Sequence, residues 1–280
     1  MILYRYLGSH AYESLDEARL KTARVSDLND PFELLYQSNR ELTTTDAAWI
    51  INNRLRDPAF HQRLKATITK DSLAQLLSGI TQPHVVEAFV SKQSEIVEHG
   101  LNGRLSNADA TLRLVCFSSD QTRSEEEILL WSHYADKHRG HRIGFKIPSS
   151  PTNVYRIDSV TYSPDRVRAD YIGDPEDSTF CSAMFMSIGT KNVIWRYENE
   201  YRLTTTPERC KPDKVKGRDE HFLSIDPEWV VRIDCGIRSD STDDEKIVTL
   251  VKSRYPRVSV YKAKFHPNDY SIVYVPIHTA

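Results

Sequence analysis

Trp195-Arg196-Tyr197-Glu198-Asn199-Glu200-Tyr201-Arg202, continued by Leu203-Thr204-Thr205-Thr206, is the segment on which the architecture of this chain turns. It is rich in aromatic and β-favouring residues and has no Gly or Pro, so it predicts a strand. Side chains alternate between the two faces of a strand. Trp195, Tyr197, Asn199 and Tyr201 then share one face, and Arg196, Glu198, Glu200 and Arg202 share the other. Two carboxylates roughly 7 Å apart are bracketed by two guanidiniums. Such a row serves either as an ion-paired sheet face or as the floor of a catalytic cleft.

The flanking sequence predicts more strands than helices. Residues 2–6 and 21–26 read as strands, separated by a short helix over 14–20 with Ser14 as N-cap. Asp27-Leu28-Asn29-Asp30-Pro31-Phe32-Glu33 is a turn cluster, because Asn and Asp side chains bond nearby backbone and Pro fixes φ. Residues 44–103 change character: helical spacing of Ala47, Ile50, Ile51 and Leu55, and of Leu73, Leu76, Leu77 and Ile80, predicts about three helices. They form a helical insertion or lid within a single domain spanning 1–280. Leu112 to Ser118 is a strand. Ser124 and Glu127 make a capping box for a helix running to about His138, with Gly140 beyond its end. Strands follow at 141–147 and 154–162, then a helix around 177–189. Residues 206–221 read as a long polar loop, and 228–235, 258–265 and 271–275 as strands, with a helix over 242–255. The order lacks a βαβ rhythm, so the fold class is α+β with a mixed, mostly antiparallel sheet.

Composition excludes several classes. The 280 residues are 39% hydrophobic and 27% charged, an ordinary globular balance. No apolar run of about 18 residues predicts a membrane span, and the first residues do not resemble a signal peptide. Cys116, Cys181, Cys210 and Cys235 are widely spaced with no CxxC pair, which argues against a disulfide framework or zinc site and for a cytoplasmic location. The net charge of −2 leaves no global basic surplus for nucleic acid. Lys211-Pro212-Asp213-Lys214-Val215-Lys216-Gly217-Arg218 is the one local basic candidate. No GxGxxG, P-loop, GxSxG or HExxH occurs.

Four local sets carry potential chemistry. They are Leu3-Tyr4-Arg5-Tyr6, Ser26 with Asn29-Asp30-Pro31-Phe32, the helical stretch Trp131-Ser132-His133-Tyr134-Ala135, and the Arg196/Glu198/Glu200/Arg202 row. Their order, with Cys116-Phe117-Ser118, Gly140, Gly144-Phe145 and Gly236, resembles the bacterial family catalogued as domain of unknown function 2971. The resemblance covers most of the chain and least of 44–103. It implies an accessory bacterial protein acting in phage defence or toxicity, and no defined activity.

A more distant resemblance is to ADP-ribosyltransferases, whose first motif is a strand with a His or Arg beside an aromatic residue and whose last is a glutamate at the start of a late strand. It implies a split sheet and NAD as the cofactor. Carried over, Glu200 or Glu198 is catalytic with Arg5, and Tyr4, Tyr6, Ser26, Asn29, Arg202 and His133 line the NAD site. Glu200 is favoured because Tyr201-Arg202-Leu203 continues as strand. The acceptor could be nucleic acid or protein, with an antitoxin or defence partner and no membrane. The physics is consistent: cleaving the glycosidic bond of NAD builds positive charge on the ribose, which a placed carboxylate stabilises. A second carboxylate can activate the acceptor, and arginines suit pyrophosphate. Two other readings fit the same residues: a metal-assisted nuclease using Glu198, Glu200 and Asp30, and a non-catalytic sensor or interaction module.

Overall fold

The computed structural model describes residues 1–8, 10–30, 32, 37–38, 108–148, 155–169, 188–215 and 217–280. The helices expected over 44–103, and all but the end of the helix expected over 177–189, lie outside the described residues. The chain divides into two compact units, one of residues 1–33, 108–165 and 189–280, the other of residues 34–107 and 166–188.

In chain order the elements are β1 (Leu3–Leu7), α1 (Ala11–Asp16), β2 (Arg19–Lys21), β3 (Gln37–Ser38), β4 (Arg113–Ser119), α2 (Ser124–Tyr134), β5 (His141–Phe145), β6 (Arg156–Ser159), β7 (Thr161–Ser163) and β8 (Arg168–Ala169). There follow β9 (Thr190–Asn192), β10 (Glu200–Thr205), β11 (Lys211–Val215), β12 (Arg218–Ser224), β13 (Val230–Cys235), α3 (Ser241–Arg254), β14 (Ser259–Phe265) and β15 (Ile272–His278). In the second unit, β3 and β8 form a short parallel pair.

The first unit is built on an eight-stranded sheet in the order β15-β14-β13-β5-β1-β4-β10-β6. Every neighbouring pair in it is antiparallel except β13/β14, which α3 connects as a crossover. The sheet splits between β1 and β4. These strands pair only at Leu3–Ser119 and Tyr4–Ser118, and farther along β4 the partner of Leu114 is Ala23, through N–H···O bonds of 2.8 and 3.0 Å in the two directions. A smaller sheet, β11-β12-β2, stands beside it.

Register gives the main sheet two unlike faces. One carries Leu3, Leu7, Val115, Phe117, Ile143, Phe145, Leu203 and Ile233, which pack with Ala11 and Leu15 of α1 and Ile247, Leu250 and Val251 of α3. Each such side chain stabilises the fold by about 1.5–3 kcal/mol through burial. The other face carries Tyr4, Tyr6, Arg142, Asp234, Glu200 and Arg202, and α2 lays Leu130, Trp131 and Ala135 over its Tyr6 side. A polar sheet face is tolerated there because its charges are paired.

Several sequence-based expectations change. The long strand does not begin at Trp195: Val193–Glu198 is a 3-10 helix, capped by Asn192, whose side chain accepts from the Ile194 N–H at 3.1 Å. Asn199 ends it in the left-handed conformation at φ 44°, which Asn tolerates better than most residues, and β10 starts at Glu200. The two-face alternation therefore does not extend back past Glu200, and Arg196 is exposed rather than in the row. The first helix lies at Ala11–Asp16 and is followed by Ala18 at φ 46°. The polar loop 206–221 is the β11–β12 hairpin. At α2, the Glu126 carboxylate rather than that of Glu127 accepts from the N-terminal backbone, from the Arg123 N–H at 3.3 Å. Glu127 instead pairs with Arg142. The helix stops at Tyr134, and Asp136, Lys137 and His138 turn left-handed with φ of 45°, 53° and 68°. Gly140 lies where this turn presses on β1: a Cβ there would fall 1.9 Å from the Leu7 carbonyl oxygen.

Candidate functional site

The start of β10 brings the two glutamates together by an unexpected route. Glu198 closes the 3-10 helix and Glu200 opens the strand, so a single left-handed Asn199 separates them, and both are buried. Lys191, on β9, lies between them. Its ammonium donates to Glu198 Oε2 at 2.6 Å, to Glu200 Oε2 at 3.4 Å and to Asn29 Oδ1 at 3.4 Å. Arg202 clasps Glu200 through Nε to Oε1 at 2.7 Å and Nη2 to Oε2 at 3.1 Å. The Cys116 thiol also bonds Glu200, whose backbone N–H donates to the Tyr162 hydroxyl at 2.8 Å. Tyr134 donates its hydroxyl to Glu198 Oε1 and accepts from Asn29 Nδ2. Among the described residues, two acids and two bases thus balance in charge, each exposed by 5% or less. A buried charge needs such a partner.

Burial alone raises the Glu200 pKa, but Arg202 and then Lys191 outweigh it and hold the carboxyl below its usual range. Glu200 is thus ionised at neutral pH, with both oxygens occupied. Burial, followed by the nearby Glu198 carboxylate, pushes the Tyr134 hydroxyl far up, so it stays a donor. Around this floor stand partly buried rings: Tyr134, Tyr162, Tyr197 and Trp195, with Lys191 Nζ 4.7 Å from the Trp195 ring centre and exposed His133 beside Tyr197.

Other expected site residues lie elsewhere. The register places Arg5 with Leu3 and Leu7, on the sheet face opposite Glu200. Its guanidinium donates to the Lys21 carbonyl at 2.6 Å, and burial lowers its pKa to about 10. Ser26 is exposed and bonds Asp109 through its N–H and hydroxyl, each at 2.9 Å. Asp30 is buried and accepts from the Phe32 N–H at 2.9 Å. Tyr4 and Tyr6 share the glutamate face but serve Arg142, whose guanidinium carbon lies 4.2 and 5.8 Å from their ring centres. Arg142 also pairs with Asp234 at 2.8 Å and with Glu127, and Tyr6 meets Trp131 edge-on. Asn29 and Arg202 do join the glutamates; His133 stands at the rim.

Sequence reasoning missed Lys191, Tyr134 and Cys116 as members of the cluster. One signal was available: two glutamates brought into one buried site require two cations, and Arg202 supplies only one.

Among the described residues one group offers metal-type ligands: His141, Cys235 and Asp244 bring ligand atoms within 4.8 Å of one another. Lys262 donates to Asp244 at 2.7 Å, supplying the positive charge a metal would bring, and burial followed by Asp244 pushes the Cys235 thiol up and keeps it protonated. Asp244 ties α3 to the sheet through bonds from Ser239, Lys262 and Cys235, while His141 Nε2 lies 3.3 Å from it and neither buried ring nitrogen makes a hydrogen bond. Among the described residues, no helix is long and apolar enough to cross a membrane. No family model, curated protein or solved structure matches this chain, so the resemblances drawn from motif order rest on the motifs themselves.

Proposed function

We propose that this chain is an enzyme of ADP-ribosyltransferase type that uses NAD, an effector in bacterial phage defence or toxicity. The observation that carries the reading is the buried pair Glu198/Glu200 at the head of β10, beside half-buried aromatic rings. When NAD is bound, breaking its glycosidic bond develops positive charge on the ribose, and a carboxylate fixed beforehand stabilises that charge without reorganising. Glu198 suits this role better than the Glu200 that sequence favoured. Glu198 is held by one ammonium and one hydroxyl, whereas Glu200 is clasped by a guanidinium at both oxygens. Glu200 with Arg202 then fixes the charge and position of the floor. Arg5 lies on the sheet face opposite Glu200, so the first-strand contact that the transferase resemblance implies is absent, which counts against that resemblance and leaves the reading on the glutamates and rings alone.

The nuclease alternative is less well supported, because a divalent ion on these carboxylates must displace Lys191 from its 2.6 Å contact. The interaction-module reading draws support from the charge balance of the ion-pair cluster. Titration with NAD and assay of released nicotinamide separate the two. The enzyme reading expects release, reduced roughly 10²–10³-fold by Glu198→Gln, a loss of the size seen when one transition-state contact is removed. Neither binding nor release by the wild-type protein would sink it in favour of the interaction module.

A further inference from the structure

The rings beside Glu198 form a ladder that reaches the surface. Centroids of Tyr134 and His133 lie 6.1 Å apart, those of His133 and Tyr197 6.4 Å, and those of Tyr197 and Trp195 6.1 Å. Both ends of the ladder touch the cluster, Tyr134 through its bond to Glu198 and Trp195 through Lys191, whose ammonium lies 4.7 Å from its ring centre. The outer side is open: His133 and Arg196 are exposed, and Ile194 is 70% exposed on the same 3-10 helix. Core rings behave differently. Trp131 is wholly buried, met edge-on by Tyr6 and stacked by His138.

Partly exposed rings in series, with an exposed arginine on the same 3-10 helix, are what unstacked bases bind: every base has a π-face, and Arg engages the backbone or stacks. Duplex bases cannot use such rings, since their faces are already covered. The net charge of −2 makes a broad electrostatic groove an unsuitable alternative. We propose that the acceptor is single-stranded nucleic acid, whose bases stack on Trp195, Tyr197 and His133 with Arg196 at the backbone, bringing the strand to Glu198. The inference rests on the transferase reading for what happens to the strand, but binding is measurable without NAD.

The experiment is fluorescence anisotropy of labelled oligothymidylate and of a mixed-sequence RNA, with a DNA duplex of equal length as competitor. Single strands should bind, the duplex should compete poorly, and Trp195→Ala and Tyr197→Ala should each weaken binding roughly tenfold or more. Trp195→Phe keeps a ring and should retain most of the affinity, which serves as the control if an alanine variant misfolds. Three results overturn the proposal: no binding at low salt, a duplex that competes as well as a single strand, or folded alanine variants that bind like wild type. Nicotinamide release without strand binding overturns this inference alone. Strand binding without NAD consumption overturns the transferase reading alone.

Discussion

Lys191 is the residue on which the cluster depends. It lies seven positions before Glu198 on a three-residue strand and belongs to no motif, so nothing local in the sequence marks it. Replacing it with an uncharged chain, Lys191→Met, leaves two buried carboxylates facing one guanidinium. Removing one partner of a buried pair costs about 3–5 kcal/mol, and urea denaturation should register that loss. Adding Glu198→Gln should recover part of it, because the unpaired charge is then gone; a recovery of zero would mean that the two side chains are not energetically coupled. The strand alternation that put Glu198 and Glu200 on one face does not hold; the left-handed turn at Asn199 brings them together instead. Which of them is free to act was not legible in the sequence, since that depends on Arg202, Tyr134 and Lys191 arriving from other places in the chain.

At the level of elements, the ends are where sequence patterns and structure part. Strands β4, β5, β13, β14 and β15 and helix α3 fall within a few residues of their expected bounds, because hydrophobic alternation and helical spacing report burial directly. The segment before Glu200 was misread because strand-favouring side chains do not reveal that Asn192 caps a 3-10 turn and that Asn199 adopts positive φ. The turn after α2 is similar: three consecutive left-handed residues without a Gly, each costing roughly 1–2 kcal/mol. Lys137 is exposed at φ 53°. Lys137→Gly should therefore stabilise the protein by about 0.5–1 kcal/mol in chemical denaturation; a destabilised variant would mean that the Lys137 side chain contributes contacts worth more than the strain. Gly140→Ala should do the reverse, since its Cβ would sit 1.9 Å from the Leu7 carbonyl and push β1 from the turn. The expected signature is a lowered thermal midpoint.

The whole molecule stores much of its specificity in paired buried charge on both sides of one sheet. The Glu200 carboxyl is held below the usual range against its burial by Arg202 and Lys191, and the Asp244 carboxyl is held far below it against burial by His141, Lys262, Ser239 and Cys235. A depressed folded pKa contributes stability that is complete above the unfolded value, about pH 4 for a carboxylate, and is lost as pH falls through the folded value. Urea midpoints should thus decline slightly below about pH 6.5, where His138 and His221, whose imidazoles burial holds down, take up protons on unfolding, and fall more steeply below about pH 5. A midpoint that rises on acidification would mean that these carboxylates are not held ionised by folding. What the sequence by itself determined was the class of fold, the positions of most strands of the main sheet and the lack of a net basic charge, because composition and periodicity are local properties. What only the tertiary structure decided was the partnership around Glu198 and Glu200. The sheet order sends Arg5 to the far face, gives Tyr4 and Tyr6 to Arg142, and delivers Lys191 and Tyr134 to the glutamates. Such contacts depend on register and on the need to neutralise buried charge, which act between residues far apart in the chain.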